Sequence, residues 1–228
     1  MASSSSIKIL KNVFKTLLTC DDYRIKVSCA ISPQTFRLRY RPCREARAGG
    51  EYGPAFGRNP EGLGLKRSSG GKIVLRELKI SPCLEIYNCL KDGQCAIKDD
   101  MTALYDRLIE ARILIVATPI FFYGPSAQLK AVIDRCQALW SRKYILGLKN
   151  RRRPGRGYLL SVGATGGKRL FEGLLLTIKY FFDVLDLKFG GRVLARGVDK
   201  PGEILDKPEF LSQARAMGEA AAEFMSQS

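Results

Sequence analysis

The chain has 228 residues, 46% of them hydrophobic, with 38 Lys and Arg, 22 Asp and Glu, and no His. That length supports one good core, the lack of His excludes His-based catalysis and His zinc ligands, and the longest apolar run, about a dozen residues, is too short to span a bilayer. The net charge of +16 invites a nucleic-acid partner, but +9 of it lies in residues 1–72 and no RNA-binding or zinc-finger signature accompanies it.

Residues 1–71 hold little periodicity. The first twenty are Ser-rich and free of acids, so composition alone leaves room for an organelle address. Seven cysteines, an odd count without the density of a secreted disulfide scaffold, make a reducing cytoplasm the simpler reading. Tyr23 to Ile31 reads as one strand. Pro33, Pro42, Pro54, Pro60 and glycines at 49, 50, 53, 57, 62, 64, 70 and 71 follow, which is the composition of an irregular segment.

From Lys72 the pattern is clean, and residues 72–228 read as one domain. Lys72 to Leu78 is a short strand, and Ser81 to Cys95 a cysteine-bearing loop. Asp99 or Asp100 caps a helix with apolar Met101, Leu104, Leu108 and Ile109. Arg112 to Gly124 is the stretch around which the rest is organised. Its apolar run, Ile113 to Ala117, suits a strand buried on both faces. Thr118-Pro119 ends that strand, because Pro119 has no backbone donor with which to continue a central ladder. Ile120, Phe121 and Phe122 then follow in a loop, where aromatics either enter the core or lie against a flat ligand. Ser126 to Arg142 is a helix by the spacing of Leu129, Val132, Ile133, Cys136, Leu139 and Trp140. The basic run Lys149 to Arg156 reads as a solvated loop, with a patch for an anionic partner as the alternative. Gly157 to Val162 is a second buried strand, Gly163 to Gly167 a glycine-rich turn, and Leu170 to Leu185 a helix. Arg192 to Val198 is a last strand and Pro208 to Phe224 a closing helix. Strands alternating with helices imply a doubly wound parallel α/β sheet with helices on both faces. Four strands follow residue 72, and a flavodoxin-type sheet needs five, so the first belongs in the irregular segment.

In such a sheet ligands bind at the carboxyl ends of the strands. The aromatic loop after Ala117 and the glycine turn after Val162 should therefore lie side by side, with space for a planar heterocycle between them. Gly163-Ala164-Thr165-Gly166-Gly167-Lys168-Arg169 is not a Walker motif. Three residues rather than four separate the glycines, and Arg169 stands where Ser or Thr is required. Cys83, Cys89 and Cys95, spaced six and six, leave a tetrahedral or cubane metal site one ligand short, so reduced structural cysteines are the plainer reading.

Residues 79–200 resemble the NAD(P)H-dependent FMN reductase family of the flavodoxin-like fold, a three-layer sandwich. The resembling stretches are Ile80-Ser81-Pro82-Cys83, Cys95 to Met101, Thr118-Pro119-Ile120-Phe121-Phe122-Tyr123-Gly124, and Ala127 to Arg135. The resemblance implies FMN as cofactor, with Thr118, Pro119, Ile120, Phe121, Phe122, Tyr123 and Gly124 bordering its ring. It also implies that Ser161, Val162, Gly163, Ala164, Thr165 and Gly166 contribute to the same pocket. NAD(P)H would be co-substrate, the acceptor a small molecule and the protein a homo-oligomer. The flavin itself does the chemistry, so no catalytic side chain is expected. The iron–sulfur flavoproteins, a branch of that family, place four cysteines in this loop. Cys83, Cys89 and Cys95 match three, and the fourth position is Ile86, which cannot ligate iron. A cluster-free flavoprotein is expected.

The family opens with a strand and a Gly-Ser-x-Arg…Gly-Asn-Thr loop around the FMN phosphate. Residues 1–71 match none of it. Read one base downstream, the codons of Gly50-Glu51-Tyr52-Gly53 permit Gly-Asn-Thr, and those of Pro60-Glu61-Gly62-Leu63 permit Leu-Lys-Gly. A shifted reading frame would remove the phosphate loop and supply the surplus Arg, Gly and Pro. Two rival readings remain. One is an electron carrier without nicotinamide activity, which the basic charge disfavours. The other is a basic nucleic-acid-binding protein with a decayed flavodoxin-like domain.

Overall fold

The computed structural model describes residues 28–31, 71–200 and 202–226, the first four by their backbone. Apart from residues 28–31 and 71, the segment 1–71 expected to be irregular lies outside the described residues, as do the missing phosphate motif and the shifted-frame reading of residues 50–63. Five strands form one sheet: β1 (Ser28–Ile31), β2 (Gly71–Val74), β3 (Ile113–Pro119), β4 (Gly155–Gly163) and β5 (Leu187–Arg196), in the order β2-β1-β3-β4-β5. The fifth strand does come from before residue 72. It runs antiparallel to both neighbours, Ser28 opposite Val74 on one side and Ala117 on the other. The remaining strands share one direction, with β3–β4 and β4–β5 directly parallel. One reversed strand leaves the ladder bonded, because parallel and antiparallel edges both satisfy the backbone.

Six helices accompany the sheet among the described residues: α1 (Cys89–Asp92), α2 (Met101–Glu110), α3 (Ala127–Arg135), α4 (Gln137–Trp140), α5 (Glu172–Val184) and α6 (Pro208–Ser226). The apolar run of β3 alternates between two layers. Leu114 and Val116 join Leu104, Leu108, Leu129, Val132, Leu174 and Ile178 on the face covered by α2, α3 and α5. Ile113, Ile115 and Ala117 join Tyr158, Leu160 and Val193 against Ala214, Met217 and Ala221 of α6. Both pleat faces are dry, which is why the run carries no polar residue.

Several boundaries differ from expectation. The strand at Lys72 stops at Val74 and turns into a 3-10 segment, Leu75–Glu77. β5 begins at Leu187 rather than Arg192, whereas β3 ends at Thr118-Pro119 as expected. The helix expected over residues 126–142 breaks at Cys136, whose N–H is shared among three carbonyls, and continues as a π-helical turn, Ser141–Ile145.

The basic run is more than a solvated loop. Asn150 and Arg151 are buried. Arg151 donates to Leu108 O (2.7 Å), Leu185 O (3.0 Å) and Ala111 O, and Asn150 Nδ2 donates to Leu139 O (2.7 Å) and Val184 O (2.9 Å). Together they satisfy the last carbonyls of α2, α4 and α5, which otherwise lack partners at a helix end. Burial pushes the Arg151 pKa down to about 10, with Asp186 opposing.

Candidate functional site

The β3–β4 register sets Thr118 opposite Ser161 and Pro119 opposite Val162. The two loops therefore leave the sheet side by side, as the topology required. Ile120 N–H donates to Val162 O (3.0 Å), which extends the ladder by one bond beyond Pro119. A Cβ on Gly163 would meet Ile120 Cγ2 and Leu170 Cδ2, each at 2.7 Å, so any other residue there would have to push these side chains aside.

The aromatic loop is a tight turn. Phe121 N–H donates to Gly124 O (3.0 Å) and Gly124 N–H to Phe121 O (2.9 Å). Its central residues, Phe122 (φ 47°) and Tyr123 (φ 64°), are both left-handed, a geometry usually given to Asn-Gly. Side chains with a Cβ hold it at a cost of roughly 1–2 kcal/mol each. The cost is met by no burial: Phe121 is 45% exposed, Phe122 103% and Tyr123 58%. Backbone strain combined with open aromatic surface is a pattern of ligand sites.

The thirteen residues expected at the ring divide by position. Thr118 is buried, and its Oγ1 donates to Pro119 O and accepts from Ser126 N–H, tying the two ends of the aromatic loop. Val162 packs against Ala195, Val198 and Ile204, and only its carbonyl meets the neighbouring loop. Ser161 Oγ is buried and has no hydrogen-bond partner among the described residues, at the carboxyl end of β4. Pro119, Ile120 and Gly124 are half-buried, Gly163 is buried, and Ala164, Thr165 and Gly166 are exposed. The open aromatic surface, the orphaned hydroxyl and the exposed turn lie at one end of the sheet, and a flat, hydrogen-bonding ring fits that set.

Arg196, absent from the expected set, holds the glycine turn. Its guanidinium donates to Gly167 O (3.1 Å) and Lys168 O (2.9 Å) and stacks over Phe171. Nothing near Arg196 in sequence marks this, since its partners lie 28 and 29 residues away.

The cysteine loop sits on α3 and α4. Arg135, 1% exposed, donates to Ser81 O (3.0 Å), Ile97 O (3.0 Å) and both oxygens of Asp99 (2.7 and 3.2 Å). Asp99 also accepts from the N–H groups of Ser81 and Met101. Burial opposes the Asp99 charge, but these bonds prevail and hold its carboxyl below the ordinary value. Cys83, Cys89 and Cys95 are free and half-buried, and burial pushes the Cys89 thiol up. Among the described residues no three His, Cys, Asp or Glu side chains stand together to hold a metal ion. With Ile86 at the fourth position, the donor set does not fit a four-cysteine cluster.

The sequence model of the NADPH-dependent FMN reductase family matches residues 65–188, more than half of the chain. The chain belongs to the NADPH-dependent FMN reductase family. Among similar proteins, an iron–sulfur flavoprotein of Archaeoglobus fulgidus is 49% identical over 72 residues, 32% of this chain and 37% of that protein. YwqN of Bacillus subtilis, provisionally named as an NAD(P)H-dependent FMN-containing oxidoreductase, is 29% identical over 62% of this chain and 77% of its own length. The iron–sulfur flavoprotein MJ1083 of Methanocaldococcus jannaschii is 29% identical over 66% and 78%. The chain thus spans little more than a third of the first relative and about three quarters of the other two. In this FMN reductase family member the matched region includes the cysteine loop and both loops at the carboxyl ends of β3 and β4. Among the described residues no helix is long and apolar enough to cross a membrane.

Proposed function

We propose that the protein is an FMN-dependent NAD(P)H oxidoreductase whose flavin ring lies between the aromatic loop and the glycine turn. The observation that carries this reading is the pairing of those loops by the Ile120–Val162 bond and the Gly163 contact, with three aromatic residues open beside them. Membership of the family supports the cofactor. Phe121, Phe122 and Tyr123 offer flat apolar surface to the ring. Ser161 Oγ and the N–H groups of the Gly163–Gly167 turn offer hydrogen bonds to its polar edge. Thr118 and Arg196 would position the two loops through their own hydrogen bonds. When bound, FMN supplies the redox chemistry, accepting hydride from a nicotinamide and passing electrons to a small-molecule acceptor. The protein's own tasks are to orient the ring and exclude water from one of its faces.

Titration with FMN by fluorescence quenching, followed by NADH and NADPH oxidation with a quinone acceptor, tests this. Saturable flavin binding that Phe121→Ala weakens supports the reading. A protein that binds no flavin but elutes from heparin only at high salt would overturn it in favour of a nucleic-acid partner.

A further inference from the structure

The basic run 149–156 ends at Arg156, the second residue of β4. Its guanidinium lies over the ring of Phe224 in α6, with Cζ 4.7 Å from the ring centroid. Arg112, which immediately precedes β3, sets its own guanidinium on the same ring at 5.4 Å. The strands bring the two together, since Arg156 N–H donates to Arg112 O (2.8 Å). A guanidinium stacked on a ring keeps its planar edge of N–H donors available for hydrogen bonds. Among the described residues neither arginine forms an ion pair with a carboxylate, and Arg112 Nε is buried without a hydrogen-bond partner. Tyr158 stands two residues beyond Arg156, on the same face of β4. It is 1% exposed, and its hydroxyl is also buried without a partner among the described residues. Burial pushes the Tyr158 phenol up, and the neighbouring Arg156 charge opposes that. Lys188, opposite Arg156 in the β4–β5 register, is exposed and adds a positive charge at the rim.

We propose that Arg112, Arg156 and Tyr158 form a site for a phosphoryl group, free or as a monoester, at the amino ends of β3 and β4. Two charged donors and one neutral donor gather beside one ring, and the described protein supplies no acceptor for Arg112 Nε or the Tyr158 hydroxyl. A dianionic phosphoryl group balances two guanidiniums, and its oxygens can accept from both and from the phenol. A carboxylate would balance only one of them. The plainer role for the arginines is to face the carbonyl end of α6, where cations are favourable. That role leaves the buried Arg112 Nε and Tyr158 hydroxyl unsatisfied, which is costly, whereas an oxyanion between them satisfies both. The site lies at the opposite end of the sheet from the aromatic loop and the glycine turn. Arg156 is roughly 23 Å from Gly163 at the rise of a strand.

The flavin-free full chain is the test material, so an error in the flavin assignment leaves the result untouched. Thermal unfolding is followed in inorganic phosphate and in sodium chloride of equal ionic strength. Phosphate at roughly 20 mM should raise Tm by about 2–4 °C more than chloride does. Arg112→Gln and Arg156→Gln should each remove that excess. Arg152→Gln, at an exposed arginine of the same basic run, should keep it. Tyr158→Phe separates binding from stability. In chloride it should unfold at the wild-type temperature or higher, because an orphaned buried hydroxyl is gone, while its excess in phosphate should shrink. Phosphorus NMR line broadening on titration gives the affinity for inorganic phosphate. Adenosine monophosphate that displaces phosphate about tenfold more tightly assigns the site to a monoester, and equal or weaker displacement assigns it to free phosphate. Adenosine, which lacks the phosphoryl group, should displace nothing. No excess stabilisation in phosphate, an excess that survives both Gln substitutions, or one that Tyr158→Phe leaves whole would overturn the proposal.

Discussion

On the proposed function, Phe122 sits where stability and flavin binding would pull in opposite directions. Its ring is fully exposed and its φ of 47° is left-handed. Phe122→Gly removes the Cβ penalty, so we expect a gain of roughly 1 kcal/mol in thermal or urea unfolding. The same change removes an aromatic surface and should weaken flavin binding by about 0.5–1.5 kcal/mol. Unfolding and flavin titration on one variant check both signs. Asp99 and Arg135 illustrate the opposite case, a pair whose value is structural. Asp99→Asn leaves a buried guanidinium without its counter-charge, which should cost about 3–5 kcal/mol. The Asp99 carboxyl titrates below its ordinary value of 3.8 in the folded protein. The unfolded chain therefore takes up the proton first as pH falls. The pair's stabilisation is present above about pH 4 and is lost below it, as pH falls through the folded pKa. Wild type should lose stability below pH 4 more steeply than Asp99→Asn, as measured by urea midpoints across that range.

Two elements owe their shape to side chains rather than to their own backbone preferences. The segment 149–156 is held by Arg151, which reaches carbonyls at the ends of α2 and α5. Arg151→Ala orphans three buried carbonyls at once, and we expect a loss of about 3 kcal/mol or more. Arg151→Lys, with a point charge in place of a fork, should recover only part of it. The cysteine loop is closed by the Arg135 bonds to Ser81 and Ile97. Its turn at Gly93 has φ of 70°, with the Arg142 stem packed where a Cβ would be. The loop offers three thiolates, with Ile86 where the resemblance sets the fourth, so anaerobic reconstitution with iron and sulfide should leave far less than four irons per chain. Ile86→Cys should raise iron retention if the loop keeps its shape, since each cubane iron needs its own thiolate or a substitute. Near-stoichiometric four-iron binding by the wild type would show that another group supplies the fourth ligand.

At the scale of the whole molecule the proposed function leaves the question of what would hold the phosphate of FMN. On that reading the described loops would offer surface to the ring, and residues 1–71 carry no Gly-Asn-Thr motif. Charge-assisted hydrogen bonds contribute about 1.5–3 kcal/mol each, so two missing phosphate contacts cost roughly 3 kcal/mol, about a hundredfold in affinity. We expect the chain with this sequence to bind FMN and riboflavin with similar, weak affinity. A version carrying residues 50–63 in the frame one base downstream should prefer FMN strongly. Titrating both proteins with both flavins decides it. Clear FMN preference in the present chain would mean that a group other than the missing loop binds the phosphate. Resequencing the coding DNA across residues 30–72 addresses the frame directly.

The sequence by itself determined that the two candidate loops lie side by side. An apolar run such as Ile113 to Ala117 must be buried on both faces, and two parallel strands joined through a helix bring their carboxyl-end loops together. The neighbourhood of Thr118–Gly124 and Ser161–Gly166 follows from those rules alone. Which side chains in those loops turn outward was decided only by the tertiary structure. Thr118 and Val162 read in sequence like Phe121 and Gly163, yet one hydroxyl ties a loop and the other side chain enters a core. Arg135, Arg151 and Arg196 are ordinary surface cations by sequence. Each works through carbonyls 28 to 54 residues away. The direction of β1 likewise rests on its pairing with strands at residues 71–74 and 113–119, not on its own four residues. Periodicity reports which face of an element is dry, because that is a local property of the chain. It carries no information about which distant carbonyl a buried donor will reach.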